Sequence, residues 1–296
     1  TMSKAKTESI NYQSLADHLR HYKKHPFSLA GLIIVCLAAV VTVAILLLLV
    51  GYILIRGIPN ITPQLFEWEY NSDNVSMMPA IINTITMTLV TLLIAVPVGV
   101  FSAIYLVEYA KRGNKIVGVV RTTTETLAGI PSIVYGLFGY LIFVVAMRCG
   151  LSMLSGALTL AIMVLPTIMR TTEEALKSVP DSYREGSFGL GAGRLRTVFR
   201  IVLPSAIPGI LSGVILAIGR IVGETAALIY TSGTVAGIPD SLMGSGRTLS
   251  VHMYALLSEG LHTNEAYATA VVLLIMVILI NALSGFIAKK IQSKKG

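Results

Sequence analysis

At 296 residues the chain is long enough for two soluble domains, but 54% hydrophobic residues, 13% charged residues and a mean hydropathy of +0.76 exclude that organisation and indicate a membrane protein. A net charge of +8 would suit a nucleic-acid partner. The basic residues instead flank apolar segments, so membrane topology accounts for them and no nucleic-acid partner is expected.

Residues 1–25 form a polar tail with Lys4, Lys6, Arg20, Lys23 and Lys24. Its stretch YQSLADHLRHYKKH can form a short amphipathic helix at the interface, or act only as a positive flank. His18, His21 and His25 have helical spacing but no cysteine or acidic ligand beside them, so no metal site is expected. Uncharged runs follow at 26–55, 74–107, 126–147, 149–169 and 266–288, each long enough for a bilayer that about 20 residues can cross. A sixth, 203–232, is interrupted only by Arg220 and Glu224. The expectation is an all-α, polytopic protein whose six-span domain covers 26–290, with a tail at 291–296.

The first run is too long for the apolar core of a signal peptide and lacks a small-residue cleavage site, so it reads as an uncleaved anchor. Lys and Arg cluster in the N-terminal tail, at 111–121, at 170–200 and in the C-terminal tail, whereas Arg56, Arg148 and Arg247 lie among acidic residues on the other side. By the positive-inside rule both termini are cytoplasmic. Pro97, Pro131 and Pro166 fall inside spans two, three and four, where each removes a backbone hydrogen bond and permits a kink. The outer segment 231–264 is rich in glycine, and its apolar run LSVHMYALL reads as a short helix, either re-entrant or on the surface. Cys36 and Cys149 have no CxxC partner and receive no role.

Between spans four and five, segment 178–202 contains SYREGSFGLGAGRLRTVFRIVLP. Ser182 and Glu185 fit a capping box that starts a helix. Gly191 and Gly193 can end it after about two turns, with Arg194 and Arg196 at its C-terminal dipole and Pro204 in the first turn of span five. The register of Glu185, Gly191, Ile201, Leu203 and Pro204 resembles the cytoplasmic EAA loop of ABC-importer permeases. Gly186 and Ser187 stand where that pattern has two alanines, which keeps close approach possible and lowers helix propensity. The resemblance implies a helix docked in a groove of a separate ATPase. The chain itself has no GxxxxGK[ST] nucleotide loop, so ATP and Mg are expected only on the partner and no cofactor on this chain.

An arginine at mid-membrane costs about 2.5–3.5 kcal/mol on insertion scales, so Arg220 carries a functional expectation. On a continuous helix Arg220 and Glu224 stand at i and i+4, where they can meet and neutralise each other, or the pair can be a static packing bridge. Gly219 and Gly223 form a small stripe that lets another helix approach. The segment GRIVGETAALIYTSG, with RTTEEALKSVP and GIPSIVYGLF, resembles phosphate ABC transporter permeases of the PstA type over nearly the whole chain. That resemblance implies a MetI-like importer fold in a bacterial plasma membrane and a translocation path that includes Arg220, Glu224 and Arg170.

It also implies three kinds of partner: a second, homologous permease subunit, an ATPase dimer and an extracytoplasmic phosphate-binding protein. A guanidinium matches phosphate oxygens with a planar fork of donors. Glu224 would either hold Arg220 between transport events or accept a hydrogen bond from hydrogen phosphate. Arg170 is either an exit-side anion contact or a topology charge. A permease for sulfate, molybdate or another oxyanion is the alternative. An intramembrane enzyme is disfavoured by the absence of GxSG, paired aspartates or HExxH within spans, and a secondary transporter would not need the docking loop.

Overall fold

The first helix, α1 (Pro26–Gly57), is apolar on every face, as a helix surrounded by lipid must be. A computed structural model of the protein describes residues 26–111 and 113–293; the expectations placed on 1–25 lie outside them. Contacts divide the chain into two compact units, Thr1–Ile55 and Arg56–Gly296. Among the described residues the structure is helical, with no strand.

In the second unit, α2 (Met78–Ile104) ends in a π turn, Tyr105–Tyr109. Next come α3 (Lys115–Ala128) and α4 (Ser132–Gly139), the latter extended by a π turn to Ala146. Helix α5 (Met153–Lys177) leads to α6 (Asp181–Gly189). Helix α7 (Arg194–Thr197) passes through a π turn into α8 (Leu203–Val222). The chain closes with α9 (Ala226–Thr231), α10 (Leu249–Glu259) and α11 (Thr263–Ser293).

Among the described residues five helices are long and apolar enough to cross a membrane, and the bent pair α3–α4 supplies a sixth span if it counts as one. Most spans extend beyond their uncharged runs, because a terminal turn can carry Lys177 or Glu265 to the interface. Helix α11 runs into the segment expected to be a tail.

Two expected spans are broken. Span three is not one helix over 126–147: α3 and α4 meet at 108° across Gly129–Pro131. Pro131 has no amide to donate and disfavours helix in the residue before it, so it caps α4 instead of kinking it. Span five starts earlier than expected, at Arg194, and its helix stops at Val222. Pro204 stands in the first turn of α8, as expected, but within a longer helical run, immediately after the π turn that loosens its hydrogen-bond ladder.

Helix α5 is the axis of the core. Its Met153, Leu160, Met163 and Ile168 are fully buried against Met87 of α2 and Ile221 of α8. Small residues permit the close contacts: a Cβ on Gly213 of α8 would collide with Thr171, and one on Gly136 of α4 would come within 2.8 Å of the Ala227 Cα. The latter contact seats the short helix α9 on α4, so the two broken spans pack together.

Candidate functional site

The breaks place polar groups where a continuous helix would bury only side chains. Across the first, the Tyr135 hydroxyl donates to the Leu127 carbonyl at 2.7 Å and ties α4 to the last turn of α3. Across the second, Glu224 is buried at 8% exposure. Its carboxylate accepts the Ala227 amide at 3.1 Å, and its carbonyl accepts the Ser250 hydroxyl at 2.6 Å. Glu224 thus starts α9 and ties the break to α10.

The expected i,i+4 pairing of Arg220 with Glu224 is not formed. The helix ends at Val222, so Glu224 leaves the helical register and turns to an orphan amide. Arg220 stays in the last turn of α8, favoured there by the helix dipole and near enough to Tyr135 for its charge to act on that side chain. Arg220 is half-buried, and among the described residues it makes neither an ion pair nor a hydrogen bond. The cation is unneutralised beside two helix breaks. Discontinuous helices are where membrane transporters place polar binding groups. Gly219 has open space around it, and Gly223 meets only its own helix, so this chain does not supply the neighbour expected along that stripe.

Arg170 falls in a separate cluster. It lines a cleft of about 250 Å3 between α3 and α5 with Arg121, Glu125, Glu173, Glu174 and Lys177. Its Nε donates to Glu174 at 3.1 Å, and both side chains are exposed. Glu173 accepts from Arg121 at 3.1 Å and Lys177 at 2.9 Å. Three cations face three carboxylates, so this cleft carries no surplus charge.

The helix expected between spans four and five is present as α6. No side chain caps it: Pro180 holds the N-cap position, and Ser182 lies inside the helix, so the capping box is not formed. Its C-terminus follows the expected route. Gly191 has φ +80°, its amide bonds to Phe188 at 2.9 Å, and the Ala192 amide bonds to Ser187 at 3.1 Å. This is a Schellman closure. Gly193 instead precedes α7, so Arg194 and Arg196 lie on the next helix rather than at the C-terminal dipole of α6.

Glu185 and Gly191 are exposed, whereas Ile201 in the π turn and Leu203 and Pro204 at the start of α8 are half-buried. Tyr183, Phe188 and Leu190 are exposed beside Glu185, with Leu190 at 92%. An apolar patch of this kind marks an interaction surface.

Two features escaped the sequence. Arg184, counted only as a topology charge, carries α6: its Nη2 donates to Glu108 at 2.7 Å and to the Leu176 carbonyl at 2.9 Å, and its Nη1 to the Val179 carbonyl at 2.8 Å. Its hydrogen bonds to Glu108 hold its pKa above the ordinary arginine value. The available signal was Glu108 itself, a lone carboxylate at the end of an uncharged span. The second is Arg247, 4% exposed, which lies 4.6 Å over the Tyr70 ring, with His252 edge-on to the same ring.

Residues 95–295 match the family described as binding-protein-dependent transport system inner membrane component. The chain belongs to that family, and is a MetI-type ABC importer permease. Among its relatives is the probable ABC transporter permease protein YqgI of Bacillus subtilis, 34% identical over 87% of this chain and 94% of that protein. The phosphate transport system permease protein PstA of Mycobacterium leprae is 33% identical, covering 79% of each chain. Solved structures share the fold. A bacterial alginate ABC transporter matches with a TM-score of 0.63 at 16% identity, covering 87% of this chain and 94% of that one. The MetNI methionine ABC transporter matches at 0.55 and 20% identity, covering 81% and 96%.

Proposed function

We propose that this chain is the transmembrane permease subunit of an ATP-driven phosphate importer. It receives phosphate from an extracytoplasmic binding protein and couples through α6 to a separate ATPase dimer that holds ATP and Mg. Arg220 carries the reading: a half-buried guanidinium without an internal counter-ion, placed beside two broken spans, suits a transient oxyanion ligand. The names of the PstA relatives support phosphate over other oxyanions. Glu224 sets the break that presents Arg220, and its remaining acceptor capacity would receive the proton of hydrogen phosphate, which sulfate lacks. The open Gly219 stripe is assigned to a second, homologous permease subunit, so the path lies between two chains. The apolar patch on α6 supports ATPase docking, with both termini then on the ATPase side.

The test is ATP-dependent uptake of labelled phosphate by the reconstituted complex, with sulfate and molybdate as competitors. Arg220→Gln is expected to assemble, to retain ATP hydrolysis and to abolish uptake. Glu224→Gln keeps an acceptor for the Ala227 amide, so it isolates the carboxylate charge. Wild-type uptake by assembled Arg220→Gln would make the arginine structural. Equal competition by sulfate would move the substrate to oxyanions in general.

A further inference from the structure

Two cavities meet where α2 gives way to α3. The first, about 680 Å3, lies at the α6 end of the bundle, where Lys111, Arg121, Lys177, Arg184 and Arg194 face Glu108 and Asp181. The second, about 640 Å3, is an apolar groove along α3 lined by Phe101, Tyr105, Ile116, Val119, Leu165 and Met169. Leu106, Asn114 and Val117 belong to both linings, so the two lie side by side.

The carboxylates of the first cavity are already engaged, since Glu108 and Asp181 both accept from Arg184, at 2.7 and 3.2 Å. Arg121 and Lys177 share Glu173, and Arg194 lies 5.7 Å from the Tyr109 ring centre. Among the described residues Lys111 forms no ion pair, so the cavity keeps a positive surplus. Meanwhile Ile116 and Val119 are 69% and 64% exposed, and α3 meets the rest of the unit there through the small cluster of Leu106, Val117 and Met169.

Inorganic phosphate would satisfy only the basic cavity, and an acyl chain only the groove. The ligand that satisfies both is anionic at one end and apolar beyond it. We propose that this composite site binds an anionic phospholipid, its phosphate in the basic cavity and an acyl chain along α3. Basic pockets between spanning helices hold such headgroups by charge, and the chain buries the open face of α3. Because α3 is joined through Tyr135 to α4, the lipid would brace the broken span next to Arg220.

The test uses the assembled complex in phosphatidylcholine vesicles carrying a trace of photoactivatable phosphatidylglycerol, with crosslinks mapped to peptides. Labelling is expected along 101–120, and it should fall with added unlabelled phosphatidylglycerol but not with inorganic phosphate. Lys111→Gln should reduce it about fivefold, the worth of one basic residue near a headgroup. Gly118→Glu, whose Cβ enters open space in the cavity lining, should reduce it about tenfold by placing a like charge there. Preserved ATP turnover would show that both variants assemble. Any of four results overturns the proposal: equal labelling by a phosphatidylcholine probe, displacement by inorganic phosphate, crosslinking of the second permease subunit in the groove, or undiminished labelling in both variants.

Discussion

Arg184 and Arg247 are secluded arginines held near opposite ends of α2, and they are accommodated in opposite ways. At the α6 end Arg184 is ion-paired to Glu108 and Asp181 and bonded to two carbonyls, so that it fastens α6 to α2 and α5. At the far end Arg247 forms no ion pair among the described residues: it stacks on Tyr70, and its Nε and Nη2 lack hydrogen-bond partners. The difference separates two ways of fixing a loop. A charge pair holds one geometry strongly but cannot lose a member without stranding the other, whereas stacking on a ring tolerates small shifts.

The largest expected effect breaks the first arrangement. Arg184→Met leaves Glu108, whose side chain is 9% exposed, without its partner, and should loosen α6 by about 3–5 kcal/mol. Faster amide exchange across 181–189 would register it, and adding Glu108→Met should restore most of the protection. A single variant as protected as wild type would remove the contrast between the two ends.

The second test concerns the Arg247 end. Burial first, and then Arg247, lower the His252 pKa from 6.5 to about 3. The unfolded chain therefore takes up this proton before the folded one does. The stability from a neutral His252 is intact above about pH 6.5 and falls as pH drops toward 3, by about 2 kcal/mol at about pH 5. Thermal unfolding of the purified complex over that range should show the decline, and His252→Phe should flatten it. An unchanged slope in that variant would assign the acid sensitivity to other groups.

A smaller effect sharpens the description of α6. Gly191→Ala meets no neighbour, so the cost is that of a left-handed backbone alone, about 1–2 kcal/mol, read as fraying of the helix end by amide exchange. The smallest is Arg170→Gln. Its exposed pair with Glu174 should change the unfolding midpoint by less than about 0.5 kcal/mol in free energy, in contrast to Arg184. If uptake nevertheless falls, Arg170 serves the anion path through its charge.

The segments that were legible have a signal in local physics. Long uncharged runs located the spanning helices, because the bilayer penalises every charge along 20 residues. Gly191 marked the end of α6, because a left-handed turn strongly favours glycine. The Ser182–Glu185 capping box failed for a local reason too: Pro180 and Asp181 start the helix first, so Ser182 is already in its interior. Neither Arg184 nor Arg247 was distinguishable from a surface cation by local pattern, since partners 76 residues away, as with Glu108 and Arg184, leave no local periodicity.

The sequence by itself determined that this is a multi-span helical membrane protein, and it located the α6 segment. Both follow from composition and short-range spacing. Only the tertiary structure decided that spans three and five are broken and that Glu224 leaves Arg220 unneutralised. In an uninterrupted helix the pair would stand one turn apart. The helix ends at Val222, α9 packs on α4 beyond it, and the orphan amide of Ala227 takes the carboxylate.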